Sequence, residues 1–185
     1  RRAMERIEKI DASNGKKEVT EDLVKELHKM TVQKILPETK CGIFRKTQVV
    51  IKNSVTGEVS FKPPLAISVP FLISDLLAFI NSKEDQDIHS VLKSGIVHYE
   101  FVRIHPFIDG NGRVGRCIST LILFLEGYDI RKFFSLEEYF DSDATGYYSA
   151  LQSVSKHDGN LTELLEYFTQ GLAIELTKIK DKVEK

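Results

Sequence analysis

The chain has 185 residues, of which 42% are apolar, and its 26 Lys+Arg against 27 Asp+Glu leave a net charge of −1. That length suits one domain, and the apolar share is enough for a core without disulfide staples. The balanced charge excludes nucleic acid or an anionic membrane as a partner recognised by overall charge, so any phosphate chemistry must come from a local cluster.

In chain order, Met4, Ile7 and Ile10 have helical spacing and predict a short helix over 3–12, closed by the polar SNGKK at 13–17. Leu23, Leu27, Met30 and Ile35 predict an amphipathic helix over 20–35, with Thr20 as N-cap and Pro37 as the stop. QVVIKNSVTGEVSFKPP at 48–64 is β-branched and broken at Thr56-Gly57, which predicts a β-hairpin. Pro70 suits the first turn of a helix running to Ile80. Ile88, Val91, Leu92, Tyr99 and Val102 mark a longer helix that ends near His105. CISTLILFL at 117–125 is apolar almost all round and predicts a helix buried in the middle of the domain, ended by Gly127. Ser135 with Glu138 has the form of a capping box, another helix covers 143–156, and Asn160 with Glu163 opens a last one running toward 183. The predicted fold is mainly α, with one hairpin set before the central helices; the alternative is an α+β domain with a small sheet.

Cys41 and Cys117 match no zinc or redox spacing and read as reduced, buried thiols of a cytoplasmic protein. No run approaches the ~20 apolar residues of a membrane helix, and no signal peptide is visible. The first residue is Arg1 rather than Met, which reads as a fragment or a processed chain.

HPFIDGNGRVGR, at 105–116, gathers polar and flexible residues directly before the most apolar segment. Such a loop delivers its backbone to a helix N-terminus, where free N–H groups and the helix dipole attract an anion. Gly110 and Gly112 allow close approach of a ligand. Arg113 and Arg116, three residues apart, offer guanidinium forks for phosphate oxygens. Asp109 beside a phosphate makes sense as a ligand of Mg²⁺, which prefers a few carboxylates plus substrate phosphates. Asn111 either donates to a phosphate oxygen or fixes the turn. His105 at the loop entrance is a natural general base for an attacking hydroxyl. No Gly-Lys-Ser/Thr follows, so this is not a Walker-type loop, and a His-x₃-Asp metal site lacks a third ligand.

HPFIDGNGRVGR closely resembles the signature of the Fic (filamentation induced by cAMP) family. CGIFRKTQVVI at 41–51, FKPP at 61–64, YYSAL at 147–151 and LTELLEYF at 161–168 are also similar to family segments. The resemblance covers about residues 20–170. It implies the Fic fold, a helical domain with a central buried helix and a hairpin flap, divided into N-terminal helices over 1–36 and a core over 37–185. It implies a protein adenylyltransferase, an enzyme that transfers AMP from Mg·ATP to a Tyr, Thr or Ser hydroxyl of a target protein. By the same resemblance, His105 is the base, Asp109 binds Mg²⁺, and Gly110, Asn111 and Gly112 form the anion hole. Arg113 holds the phosphates and Arg116 reaches the γ-phosphate, while Phe107 anchors the loop in the core. Tyr147 and Tyr148 line the base pocket or belong to the core. The target docks on the hairpin at 48–62. Gly112 stands where the kinase-like Doc relatives carry Lys, which favours nucleotide transfer. The alternatives are AMP removal, another nucleotide donor, or a nucleotide-binding regulatory or toxin module without turnover.

Many members carry an inhibitory helix with Ser/Thr-x-x-x-Glu-Gly/Asn. Ser54 with Glu58 and Thr162 with Glu166 match its Ser/Thr-x-x-x-Glu part, but Val59 and Tyr167 follow where Gly or Asn belongs, and both read as chance. The expectation is an inhibitory helix upstream of residue 1 or a separate antitoxin-like partner.

Overall fold

The computed structural model describes Ile7 and residues 18–52, 56–82, 87–128 and 136–183. The helix expected over 3–12 and the break at 13–17 lie outside these residues apart from Ile7, which is buried in the core. The capping box at Ser135 also lies outside them.

The described helices are α1 (Glu21–Val32), α2 (Val69–Asn81), α3 (Ser90–Ile104), α4 (Asn111–Leu125), α5 (Leu136–Ser142), α6 (Ala144–Lys156) and α7 (Thr162–Val183). Thr20 caps α1 as its sequence position predicts, its hydroxyl oxygen accepting the Leu23 N–H at 3.2 Å. The buried face of α1 is Val24, Leu27, His28 and Val32. Leu23 and Met30, expected on that face, are only partly buried beside it. Asp143 caps α6 by accepting the Gly146 N–H, and Asn160 accepts the Thr162 N–H at the start of α7.

The hairpin is shorter than the predicted 48–64. Strand β1 (Ile51–Lys52) runs antiparallel to β2 (Val59–Phe61), with Ile51 opposite Phe61 and Lys52 opposite Val59. Ser60 is thus the extra residue of a bulge. Pro63 and Pro64 have no N–H to give to a ladder, so pairing stops before them. Side chains hold the hairpin roots together instead: the Gln48 amide donates to the Pro63 carbonyl at 2.9 Å.

Helices α3 and α4 form an antiparallel pair at the centre. Ser94 faces Ser119, its hydroxyl donating to the Ser119 carbonyl at 2.9 Å. Further along, a Cβ at Gly115 would lie 3.4–3.5 Å from His98, Phe101 and Val102, so the glycine sets how closely the backbones approach. On one side of this pair, α1 and α2 bury Val24, Leu27, Val69 and Ile73 against Phe101 and Ile118. On the other, Phe140, Tyr147, Phe168 and Leu172 of α5, α6 and α7 close over Leu123. The helix expected over 117–125 begins six residues earlier, at Asn111, so the second half of HPFIDGNGRVGR is already helical. Among the described residues no helix is long and apolar enough to cross a membrane. Cys41 is buried, Cys117 is half-buried, and both are free thiols.

Candidate active site

His105 follows the last residue of α3 with φ 52° and ψ 58°, a left-handed conformation that is uncommon outside glycine. It turns the chain out of the helix while its N–H still donates to the Phe101 carbonyl at 3.1 Å. Its Nδ1 lies 3.2 Å from the Val102 carbonyl. A carbonyl only accepts, so Nδ1 carries the proton and Nε2 of the neutral ring is bare. Burial lowers the pKa of His105 below its usual 6.5; the Arg45 charge adds to this, while the Val102 carbonyl and Asp109 oppose it.

The next turn is locked from two sides. Phe107 is 0% exposed and stacks on His28, with ring centroids 3.7 Å apart and planes 5° from parallel. Asn111, 2% exposed, accepts the Phe107 N–H and donates to the Phe107 carbonyl, both at 2.9 Å. Of the roles open to Asn111 from its sequence position, its side chain takes the turn-fixing one. His28 completes the clamp. The Gly42 N–H donates to its Nδ1 at 2.8 Å, so Nε2 bears the hydrogen and donates to the Asp109 carbonyl at 3.1 Å.

Gly110 is the N-cap of α4, with φ 79°. A Cβ there would lie 2.5 Å from Cγ1 of Val32. The backbone therefore passes between α1 and the start of α4 only because the side chain is missing. Gly110→Ala should lower stability by about 2–4 kcal/mol, combining left-handed strain with overpacking. Urea denaturation checks this, and a loss below about 0.5 kcal/mol would contradict the packing described. Beyond Gly110, the first-turn N–H groups of α4 have no acceptor within the helix and point their partial positive charge outward.

Above this turn lies a cavity of about 430 Å³, within the range of small-molecule sites. His105, Gly112 and Arg116 line it from the motif, Tyr99 and Val102 from α3, Tyr147, Tyr148 and Leu151 from α6, and Ile51, Ser60 and Phe61 from the hairpin. Tyr148 is 58% exposed. Tyr147 belongs to core and cavity at once. Its ring stacks on Phe140 at 4.7 Å and its hydroxyl lies 3.0 Å from Nε2 of His98. Burial raises the Tyr147 pKa. It pushes His98 down to about 3, with the charge of Arg116 adding to the effect, so His98 is a neutral partner beneath the cavity.

Asp109 and Arg113 do not line this cavity. Their side chains pair at 3.5 Å, and Nη1 of Arg113 lies 3.5 Å from the Thr31 carbonyl of α1. The two arginines therefore point differently: Arg116 lines the cavity and Arg113 faces Asp109 and α1. Among the described residues no cluster of three or more His, Cys, Asp or Glu could hold a metal. Asp109 offers a single carboxylate whose side chain is 52% exposed. One hard oxygen donor of this kind suits a cation that keeps most of its water and takes its remaining ligands from a phosphate substrate.

The sequence did not single out His28 or His98, and it marked Arg45 only as part of the family-like segment at 41–51, without a role. Arg45 is 3% exposed, and its guanidinium donates to the carbonyls of His105 at 2.8 Å, Pro64 at 2.6 Å, and Ile104 and Thr47 at 3.3 Å. A signal existed for His28, which falls on the apolar stripe of α1 between Val24 and Val32. A polar residue placed there must find buried partners.

Residues 18–123 match the model of the Fic/DOC family. The chain is 34% identical over 120 residues to "Protein adenylyltransferase Fic" of Drosophila grimshawi, covering 64% of this chain and 23% of that protein. It is 33% identical over 113 residues to the protein of that name in Drosophila ananassae, covering 61% of this chain and 21% of the relative. Among solved structures, a Fic family protein from Desulfovibrio desulfuricans G20 superposes with a TM-score of 0.80 at 26% identity, covering all of this chain and 52% of the other. Fic-1 of C. elegans superposes with a TM-score of 0.70 at 22% identity, covering 99% of this chain and 50% of the other, a likeness of fold. The chain thus spans about a quarter of the length of the curated relatives it matches and about half of those solved structures.

Proposed function

The chain belongs to the Fic/DOC family, and we propose that it transfers AMP from ATP to a Tyr, Thr or Ser hydroxyl of a target protein and releases pyrophosphate. The observation that carries this reading is the setting of His105. Its Nδ1 is committed to the Val102 carbonyl, and it lines the same cavity as Gly112 and Arg116. A bare Nε2 beside an anion-binding helix start is what attack by a hydroxyl on phosphorus needs. The adenylyltransferase names of the relatives support ATP as the donor.

In this reading the target hydroxyl oxygen attacks the α-phosphorus and gives its proton to Nε2 of His105. The bond from that phosphorus to the bridging oxygen breaks, and pyrophosphate leaves. The first-turn N–H groups at Asn111 and Gly112 bind phosphate oxygens, and Arg116 neutralises the charge that builds on them; Arg113, paired with Asp109 outside the cavity, joins them only by giving up that pair. Asp109 is the residue that would hold Mg²⁺, which when bound neutralises phosphate charge. Tyr148 offers a ring face to the nucleobase, and Tyr147 backs that wall. The edge of the β1–β2 hairpin presents an extended target segment to His105. A glutamate brought to Arg116, from a segment outside these 185 residues or from a separate protein, would compete with phosphate and inhibit transfer.

Incubation with ATP, Mg²⁺ and a cell lysate, read by mass spectrometry, tests the proposal. AMP-modified Tyr, Thr or Ser peptides are expected. Tight ATP binding with no modified protein would replace the reading by a nucleotide-binding module, and phosphorylated protein by a kinase.

The pH dependence follows from the base. His105 accepts a proton only when neutral, above its folded pKa, which burial holds below 6.5. The groups acting on it are Arg45, Asp109 and the Val102 carbonyl. The acidic limb of kcat/KM, which reports the free enzyme, should therefore fall below pH 6.5. A limb centred above that value would contradict the assignment.

A further inference from the structure

We infer that Arg45 is a positioning residue that fastens both roots of the hairpin to His105, so that the flap and the base are held in place by one side chain.

The geometry is specific to a guanidinium. One fork reaches Thr47 at the hairpin's entry, Pro64 beyond its exit, and Ile104 and His105 at the end of α3, all through carbonyl oxygens. The Arg45 N–H adds a fifth tie, to the Pro106 carbonyl at 2.8 Å. These contacts bracket His105 along the chain. The residue itself has a left-handed backbone that a non-glycine side chain disfavours. Its N–H is tied to Phe101 and its carbonyl to Arg45, so both peptide groups of the strained residue are fixed. Among the described residues the hairpin pairs only Ile51–Lys52 with Val59–Phe61, and a lone two-stranded hairpin is marginal by itself. Its place over the cavity therefore depends on its roots, and Arg45 and Gln48 are the side chains that hold them.

Among the described residues the partners of the Arg45 side chain are backbone oxygens, so the cation is buried there without a carboxylate beside it. A planar fork with five N–H donors can serve several carbonyls in different directions; a lysine ammonium, with three donors on one atom, cannot. Charge alone is not enough, and Arg45→Lys should fail where a purely electrostatic role would survive.

The kinetic arm of the test rests on the AMP-transfer reading; the exchange arm does not. In the unaltered protein, hydrogen–deuterium exchange should show the hairpin roots (45–48 and 62–66) and the 101–108 segment opening together, with equal protection. Arg45→Lys should raise exchange in all of these by at least tenfold and leave the middle of α4 unchanged. In the kinetic arm, Arg45→Lys should lower kcat by at least tenfold, while KM for ATP stays within twofold because Gly112 and Arg116 are untouched. Roots that open independently of 101–108 in the unaltered protein would overturn the inference, whatever the variant does. A folded Arg45→Lys with unchanged exchange would overturn it too. If the unaltered protein transfers no AMP, the functional reading fails and the exchange arm still decides this one.

Discussion

Replacing His105 by alanine should lower AMP transfer about 10²- to 10⁴-fold, the usual contribution of a positioned general base. ATP affinity should stay within about twofold. The reason for the split lies in the division of labour around the cavity. The groups at the cavity that would hold phosphate are the α4 N–H groups and Arg116, and neither hydrogen-bonds to the His105 ring, whose Nδ1 is taken by Val102. Removing the ring therefore takes away the proton acceptor without disturbing the anion site. His105→Asn is the sharper companion, since it keeps a polar group but no basic nitrogen. Rates for both variants from labelled ATP, with binding measured by calorimetry, check this. A residual rate within tenfold of the unaltered protein would remove His105 from the role of base.

Replacing Phe107 by alanine should cost about 3–5 kcal/mol of stability, the range for a fully buried aromatic. Its ring lies against three others, stacked on His28 and tilted against Phe44 and Phe101. Aromatic pairs of this kind contribute about 0.5–1.5 kcal/mol beyond the area they bury. A domain of this size has roughly 5–15 kcal/mol in total, so the loss is a large share of it. The effect should also reach the site. His28 would lose the ring that orients it, and with it the firm hold on the Asp109 carbonyl. Urea denaturation should show a lower midpoint at unchanged slope. A loss below about 1 kcal/mol would mean that Phe107 is not the anchor of the turn.

Much of this was legible in the sequence because local rules agree there. Thr20 caps α1, Pro70 sits in the first turn of α2, and the apolar run at 117–125 lies within the buried α4. The motif was legible too, since a turn alone does not require His, Asp, Asn and Arg together. What stayed hidden depends on tertiary contacts. Arg45 falls in the family-like segment at 41–51, but its partners come together only when the hairpin folds back and α3 ends beside it. His28 becomes meaningful only when Gly42 and Asp109, at distant points of the chain, meet its two nitrogens. Helical spacing suggested that Arg113 and Arg116 would aim at one anion. In the structure Arg113 meets Asp109 and α1, because helix periodicity fixes direction and not the partner a long side chain finds. The hairpin came out shorter than its β-branched pattern because prolines end the ladder.

In the proposed function the cavity over this turn transfers the α-phosphoryl group of ATP with its nucleoside attached. The most direct measurement is a paired labelling experiment with ATP labelled at the α- or the γ-phosphate, Mg²⁺ and target protein. Label is expected on protein from the α-position only, with one pyrophosphate released per label and none in His105→Ala. Label from the γ-position, or α-label on protein undiminished in His105→Ala, would contradict it.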